Sequence, residues 1–141
     1  MVKRLSEKVF REIYSKVPRL CVDLIIKNKK EIIFTKRKII PWKGMWHLPG
    51  GTVMFNEKIE DTIRRVAKRE VNLDVKIVKF LGIQEWFVKK QLTHTVSLVY
   101  LCEILKGNLK VNEEAYEARF FNEVPENTIE EHILWLKKFI K

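Results

Sequence analysis

The stretch "LPGGTVMFNEKIEDTIRRVAKREVNL", Leu48 to Leu73, opens with two glycines and continues as a charged segment with helical rhythm. At 100° per residue, setting Glu70 to zero puts Ile59 at about −20°, Ile63 at about +20°, Val66 at about −40° and Ala67 at about +60°. Asp61, Arg64 and Lys68 fall on the far side. The pattern predicts a helix over Glu57 to Val71 with a carboxylate at the centre of its apolar stripe. Burying a charged carboxylate is costly unless a cation meets it. Asn72 fits a left-handed C-terminal cap, which places Glu70 in the last turn, at the negative end of the helix dipole. An arginine of another strand, such as Arg37 or Arg119, answers that charge, or the side chain escapes at the frayed helix end, or a bound cation meets it.

The glycines favour the cation. Gly50 and Gly51 leave backbone bare just before the helix, where peptide groups can approach phosphate or present a carbonyl to a metal. Joined to a stripe carboxylate further along, they sketch an oxygen-ligand site for a hard cation such as Mg²⁺.

Working outward, Ser6 to Val17 reads as an amphipathic helix with Val9, Phe10, Ile13 and Val17 on one side, ended by Pro18. "LCVDLIIKN" and "EIIFTKR" are β-rich runs around a Lys-rich turn at Asn28 to Lys30, a hairpin signal. "KIIPWKGMWHLPGG" is an aromatic connection punctuated by proline and glycine. "VKIVKFLGIQEWFV" and "HTVSLVYLCEIL" make a second pair of long strands around Lys89 to Thr93, and "ARFFNEV" is a last strand. Pro125 and Asn127 introduce a closing helix with Ile129, Ile133, Leu136 and Ile140 on one stripe and His132 facing solvent. The order α-β-β-β-α-β-β-β-α predicts a mixed sheet between helices, an α/β/α sandwich forming a single domain over residues 1–141.

The 141 residues are 46% hydrophobic and 33% charged, which suits a globular chain and not a disordered one. No run of about 18 apolar residues occurs, so a membrane span is not expected. The N-terminal "MVKRLSEKVFREIYSKV" breaks its apolar residues with charges throughout, unlike a signal peptide. Cys21 and Cys102 stand singly in β-like runs and read as buried reduced thiols, pointing to the cytoplasm. A net charge of +10 permits an anionic partner, but the lysines are scattered and do not form a nucleic-acid patch.

The segment "GGTVMFNEKIEDTIRRVAKREVNL" resembles the Nudix box, GX5EX7REUXEEXGU, with U a bulky aliphatic residue. Gly51, Glu57, Arg65, Glu70 and Leu73 fall on the pattern with every spacing kept, and the likeness extends through "WHLPGG" to most of the chain. It implies the Nudix fold, with the box over 51–73, and hydrolysis of a nucleoside diphosphate linked to another group, assisted by Mg²⁺ or Mn²⁺. It also implies a structural ion pair between Glu57 and Arg65 and a metal-binding role for Glu70. The chain departs from the pattern at Val66 and Arg69, where the family carries glutamates, and at Asn72, where it carries glycine. One ion, or none, is the expectation, in place of several.

The GDP-mannose mannosyl hydrolase branch of the family loses the same two glutamates, and "CVDLIIKN" and "FTKRKIIPWKGMWHLPGG" are similar to it without gaps. That resemblance implies a single Mg²⁺ on the Gly50 carbonyl and Glu70. It implies Arg37 and Arg65 at the leaving nucleotide, Asp23 at the sugar, and water attacking the anomeric carbon. Thr52 stands where the branch has an arginine, and Trp86 replaces a histidine near the sugar. The branch's Gln–His pair becomes Glu114 and Ala115 here, so the resemblance implies Glu114 as a further metal ligand and Glu113, Glu114 or Glu117 as the base, or else a different reaction.

Trp42, Trp46 and Trp86 are candidates to stack on a base or sugar ring, with core packing the expected role for at least one of them. His47 and His94 read as packed or loop residues. The expected partner is a small nucleotide-sugar or another nucleoside diphosphate derivative, with attack at phosphorus as an alternative. A non-catalytic nucleotide- or RNA-binding module is a further alternative, and the leading helix is a candidate homodimer contact.

Overall fold

A computed structural model describes residues 3–40, 42–88, 93–130, 132, 136 and 137. Its centre is strand β1, Arg19–Asn28, in which Cys21 to Ile26 are buried without a break. A run buried on both faces belongs in the middle of a sheet. β1 runs parallel to β6 (Thr93–Gly107), pairing Arg19 with Thr95 through Lys27 with Glu103. It runs antiparallel to β2 (Glu31–Arg37) and to β4 (Gly50–Thr52). Short β3 (Trp46–His47) and β7 (Ala115–Phe121) border β2, and the long β5 (Leu73–Val88) borders β6. The described residues thus form one mixed sheet of seven strands.

The turn between β1 and β2 places Lys29 at φ 56, so the expected hairpin closes through a left-handed residue. β5 and β6 match the expected strand pair, with register shifts at Asp74/Val75, Ile77/Lys79 and Phe80/Gly82. Two local expectations shift. The connection before the box contains two short strands, β3 and β4, because its residues reach β2 and β1. The last strand begins at Ala115, earlier than Ala118, to follow β2 past Arg37. The turn at 89–92 lies outside the described residues.

The box helix α2 spans Ile59–Val71, starting two residues later than the pattern suggested, because Lys58 is extended at φ −71, ψ 147. It ends as expected, with Asn72 left-handed at φ 62, ψ 33 and its amide donating to the Ala67 and Lys68 carbonyls. Ile63, Val66, Ala67 and Val71 bury against Val22, Leu24, Ile26 and Ile33 on one face of the sheet. The opposite face holds a second core of Ile25, Ile32, Phe34, Trp46, Leu48, Val99 and Leu136. Leu136 comes from the closing segment, which is helical at Glu130, His132 and Leu136. Ile133 and Ile140 of its expected stripe lie outside the described residues.

His132 is a correction. It does not face solvent but is fully buried, since it sits three residues after buried Ile129 and four before buried Leu136.

The leading helix α1 covers Glu7–Tyr14, shorter than expected, with Ser6 accepting from the Val9 amide at its start. Ser15 caps its end before Pro18 is reached, and Val9, Ile13 and Val17 stay partly exposed. Both cysteines are buried and free, and burial pushes their thiols up, Cys21 to about 11 and Cys102 to about 12. No helix among the described residues is long and apolar enough to cross a membrane.

Candidate active site

The loop leading into α2 is shaped by an ion pair. Arg65 Nε donates to Glu57 Oε2 at 2.8 Å and Nη2 to Oε1 at 3.0 Å, and Nη2 also reaches the Thr52 carbonyl at 2.8 Å. Glu57 additionally accepts from the Thr62 hydroxyl at 2.7 Å and the Met54 amide at 3.1 Å. Its side chain is 3% exposed, and Arg65, with these further donors, pulls its carboxyl from 4.5 down to about 2. A buried carboxylate so fully bonded ties β4 to the first turn of α2. Two of the three Arg65 guanidinium nitrogens are spent on this loop.

At the other end of α2 the accounting is reversed. Glu70 Oε2 accepts from the Asn112 amide at 2.9 Å. Burial, and then the neighbouring Glu114 charge, raise its carboxyl above the ordinary range, against the opposing pull of Arg69, Asn112 and Arg37. Asn112 links the two acids, because its Oδ1 also accepts the Glu114 amide at 2.9 Å. Arg69 Nη2 lies 3.4 Å from Glu114 Oε1. Glu113 is exposed in the same turn, and Glu117 pairs with Arg119 at 2.9 Å.

Arg37 joins this cluster from the end of β2. Burial lowers its pKa, while Glu70, Glu114 and Asp23 hold the guanidinium charged. It is therefore a cation on which all three candidate carboxylates act.

Gly50 stands opposite Asp23 in the β1–β4 register. A Cβ at Gly50 would overlap the Asp23 carboxylate and stand 2.8 Å from the Val22 carbonyl, so no larger residue fits without displacing the loop. At Gly51 a Cβ would come within 3.0 Å of Val66 Cγ2, so the valine packs where the loop turns into the helix. Asp23 is 4% exposed, and its Oδ2 has no hydrogen-bond partner among the described residues.

The aromatic candidates separate. Trp86 stacks on Trp42 with ring centroids 5.1 Å apart, and its Nε1 donates to Ser97 Oγ at 3.3 Å. Trp42 is held at φ 59, a strained value for a tryptophan. Trp46 corrects the sequence reading, for it belongs to the second core, 9% exposed and edge-on to Phe121 at 4.8 Å. Lys36 Nζ and Arg119 Cζ lie 5.9 Å and 6.0 Å from its ring centroid. His47 bonds Thr35 Oγ1 at 2.9 Å, and burial, followed by Arg37, keeps its imidazole well below the usual range. His94 pairs with Glu85 at 3.2 Å, away from this region.

The residues that sequence reasoning missed are Asn112, Arg69 and His132. Asn112 and Arg69 owe their roles to contacts across more than forty positions of chain, which no local pattern displays. His132 did leave a signal, its helical spacing to Ile129 and Leu136.

The donor set suits a hard cation. Glu70 and Glu114 offer carboxylate oxygens and the Gly50 loop offers backbone. No group of three or more His, Cys, Asp and Glu side chains with metal-binding geometry occurs among the described residues.

A sheet of this order, with a capped helix following a Gly-Gly loop and a carboxylate at the end of that helix, defines a class. The family model described as the NUDIX domain matches residues 17–141, and the chain belongs to the Nudix hydrolase family. It is 32% identical over 147 aligned positions, covering 94% of this chain and 87% of the relative, to a protein named ADP-ribose pyrophosphatase from Methanocaldococcus jannaschii. It is 37% identical over 84 residues, 60% of this chain and 54% of the relative, to the low-salt glycan biosynthesis protein Agl8 of Haloferax volcanii. Among solved structures, the MutT NUDIX hydrolase of Burkholderia pseudomallei aligns with a TM-score of 0.80 at 25% identity, covering 86% of this chain and 98% of that one.

Proposed function

We propose that this Nudix hydrolase cleaves a nucleoside diphosphate linked to a sugar, using one Mg²⁺ or, in its place, Mn²⁺. The observation that carries the reading is Glu70, whose charge is disfavoured by burial and by Glu114. The Gly50 carbonyl, Glu70 and Glu114 would hold the ion. When bound, such an ion polarises the diphosphate and neutralises charge on the leaving group. Val66 and Arg69 support a single ion, the first by packing apolar surface against Gly51 and the second by placing a guanidinium on Glu114.

Arg37, buried beside the carboxylates, would bind diphosphate oxygens through its planar fork of donors. Arg65 keeps the loop in shape, its Nε and Nη2 already committed to Glu57 and Thr52. Asp23 lies across from Gly50, where it would meet the sugar hydroxyls, with the Trp86–Trp42 stack beyond it. The GDP-mannose branch is the finer form of this reading, with water attacking the anomeric carbon and Glu114 or Glu113 accepting its proton.

A second reading has attack at phosphorus with the same glutamate base, and the Methanocaldococcus relative's name favours it. Turnover of GDP-mannose and ADP-ribose in ¹⁸O-water with Mg²⁺ tests both. Label in free mannose released beside intact GDP is the expected result, and label in a nucleoside monophosphate or a sugar phosphate shifts the assignment to the second reading. Absence of Mg²⁺-dependent turnover over a panel of nucleotide-sugars overturns the substrate class.

A further inference from the structure

His132 is a fully buried histidine that the reaction above does not use. The Leu48 amide donates to its Nδ1 at 3.1 Å. A ring nitrogen that accepts an amide proton carries none, so the ring's own proton resides on Nε2. That Nε2 lies 3.7 Å from Asp23 Oδ2, both atoms are inaccessible, and neither has a hydrogen-bond partner among the described residues. Buried polar atoms seldom stay orphaned, and two of them facing one another across a short gap are each other's natural partner.

The three residues between these contacts are the turn that presents Gly50. Leu48 is held by Nδ1, the Pro49 carbonyl accepts from the Leu24 amide at 2.8 Å, and Gly50 abuts the Asp23 carboxylate. On its outer side the imidazole meets the Trp86 ring edge-on, with centroids 5.0 Å apart.

We infer that His132 is a positioning residue that brackets the Leu48–Gly50 turn, holding the Leu48 amide with Nδ1 and turning Nε2–H toward Asp23. The geometry gives it no part as a base, because its one lone pair is already occupied by the Leu48 amide. The closing segment thereby fixes both the Gly50 backbone and the Asp23 carboxylate, through a side chain that touches no substrate. This inference rests on the reading of Gly50 and Asp23 as site residues.

The test uses the full chain. A long-range ¹H–¹⁵N spectrum at neutral pH should show the His132 proton on Nε2 only, and a proton on Nδ1 overturns the inference. Mn²⁺ affinity, read by electron paramagnetic resonance, should weaken about 10-fold in His132→Leu, the effect typical of lost outer-shell support. His132→Asn retains an oxygen near the Nδ1 position and should recover most of that loss. A folded His132→Leu protein that binds Mn²⁺ as tightly as the parent overturns the bracket. Should His132→Leu fail to fold, the tautomer and the Asn variant still decide. Glu70→Gln separates the two readings, since it should abolish Mn²⁺ binding yet leave the His132 spectrum unchanged. If the parent chain binds no Mn²⁺, the metal assignment falls, and the spectrum alone decides on His132.

Discussion

Glu57, just before α2, and Glu70, in its last turn, flank one helix, and the protein treats their carboxylates in opposite ways. Glu57 is surrounded by donors from Arg65, Thr62 and Met54 and is pulled to about 2. Glu70 has one amide donor, a second acid beside it and two arginines at the margin, and its carboxyl is pushed up. Sequence alone shows two glutamates of equal standing. The difference lies in how completely each charge is answered by the protein: the fully answered one holds the loop, and the partly answered one is the candidate to meet a ligand.

The sharpest way to break the contrast is Glu70→Gln. Removing a candidate ligand that contributes several kcal/mol should cut metal-dependent turnover by at least about 100-fold. The same substitution should raise the metal-free melting temperature slightly, because it removes a charge that burial penalises. A fall in melting temperature would put Glu70 in the same structural role as Glu57.

Glu57→Gln is the counterpart, and its expected effect is on stability. Breaking a buried pair from one side costs about 3–5 kcal/mol, measurable by denaturant unfolding. Because the folded carboxyl lies below its unfolded value, its contribution is complete above about pH 4.5 and is lost as pH falls toward about 2. The parent should therefore lose stability across that window, and Glu57→Gln should show a flatter profile. Equal slopes would remove Glu57 from the acid transition.

The smallest effect is expected from Arg69→Gln. Its pair with Glu114 is about one-third exposed on both sides, so the stability change should stay within about 1 kcal/mol. Glu70 should nevertheless titrate still higher, since Arg69 is the largest of the influences that lower it. A Glu70 titration unchanged by NMR would detach Arg69 from the site.

Whereas the Glu57–Arg65 contact was legible only through the resemblance to the Nudix box, the helix, its left-handed cap and the strand pairs were legible because each depends on near neighbours and on periodicity. Asn72 illustrates this, for a residue that tolerates positive φ directly after an apolar stripe can do little else there. Trp46 was misjudged because an aromatic beside a glycine loop has the same sequence signature whether it meets a ligand or Phe121. The link from Glu70 through Asn112 to Glu114 was hidden for another reason. It needs the turn before β7 to arrive beside the end of α2, and that meeting is set by the whole sheet.

The irregular course of β5 has a consequence for assembly. This strand ends the sheet order among the described residues, is sixteen residues long and exposes Val78, Phe80, Ile83 and Phe87. So long an apolar border would invite another polypeptide to extend the ladder, as in fibril growth. Its three register breaks twist the free amides out of line, and the exposed lysines 76 and 79 add like-charge repulsion. Straightening the border by deleting one bulge would be expected to leave the hydrolytic centre intact while making concentrated protein prone to precipitate.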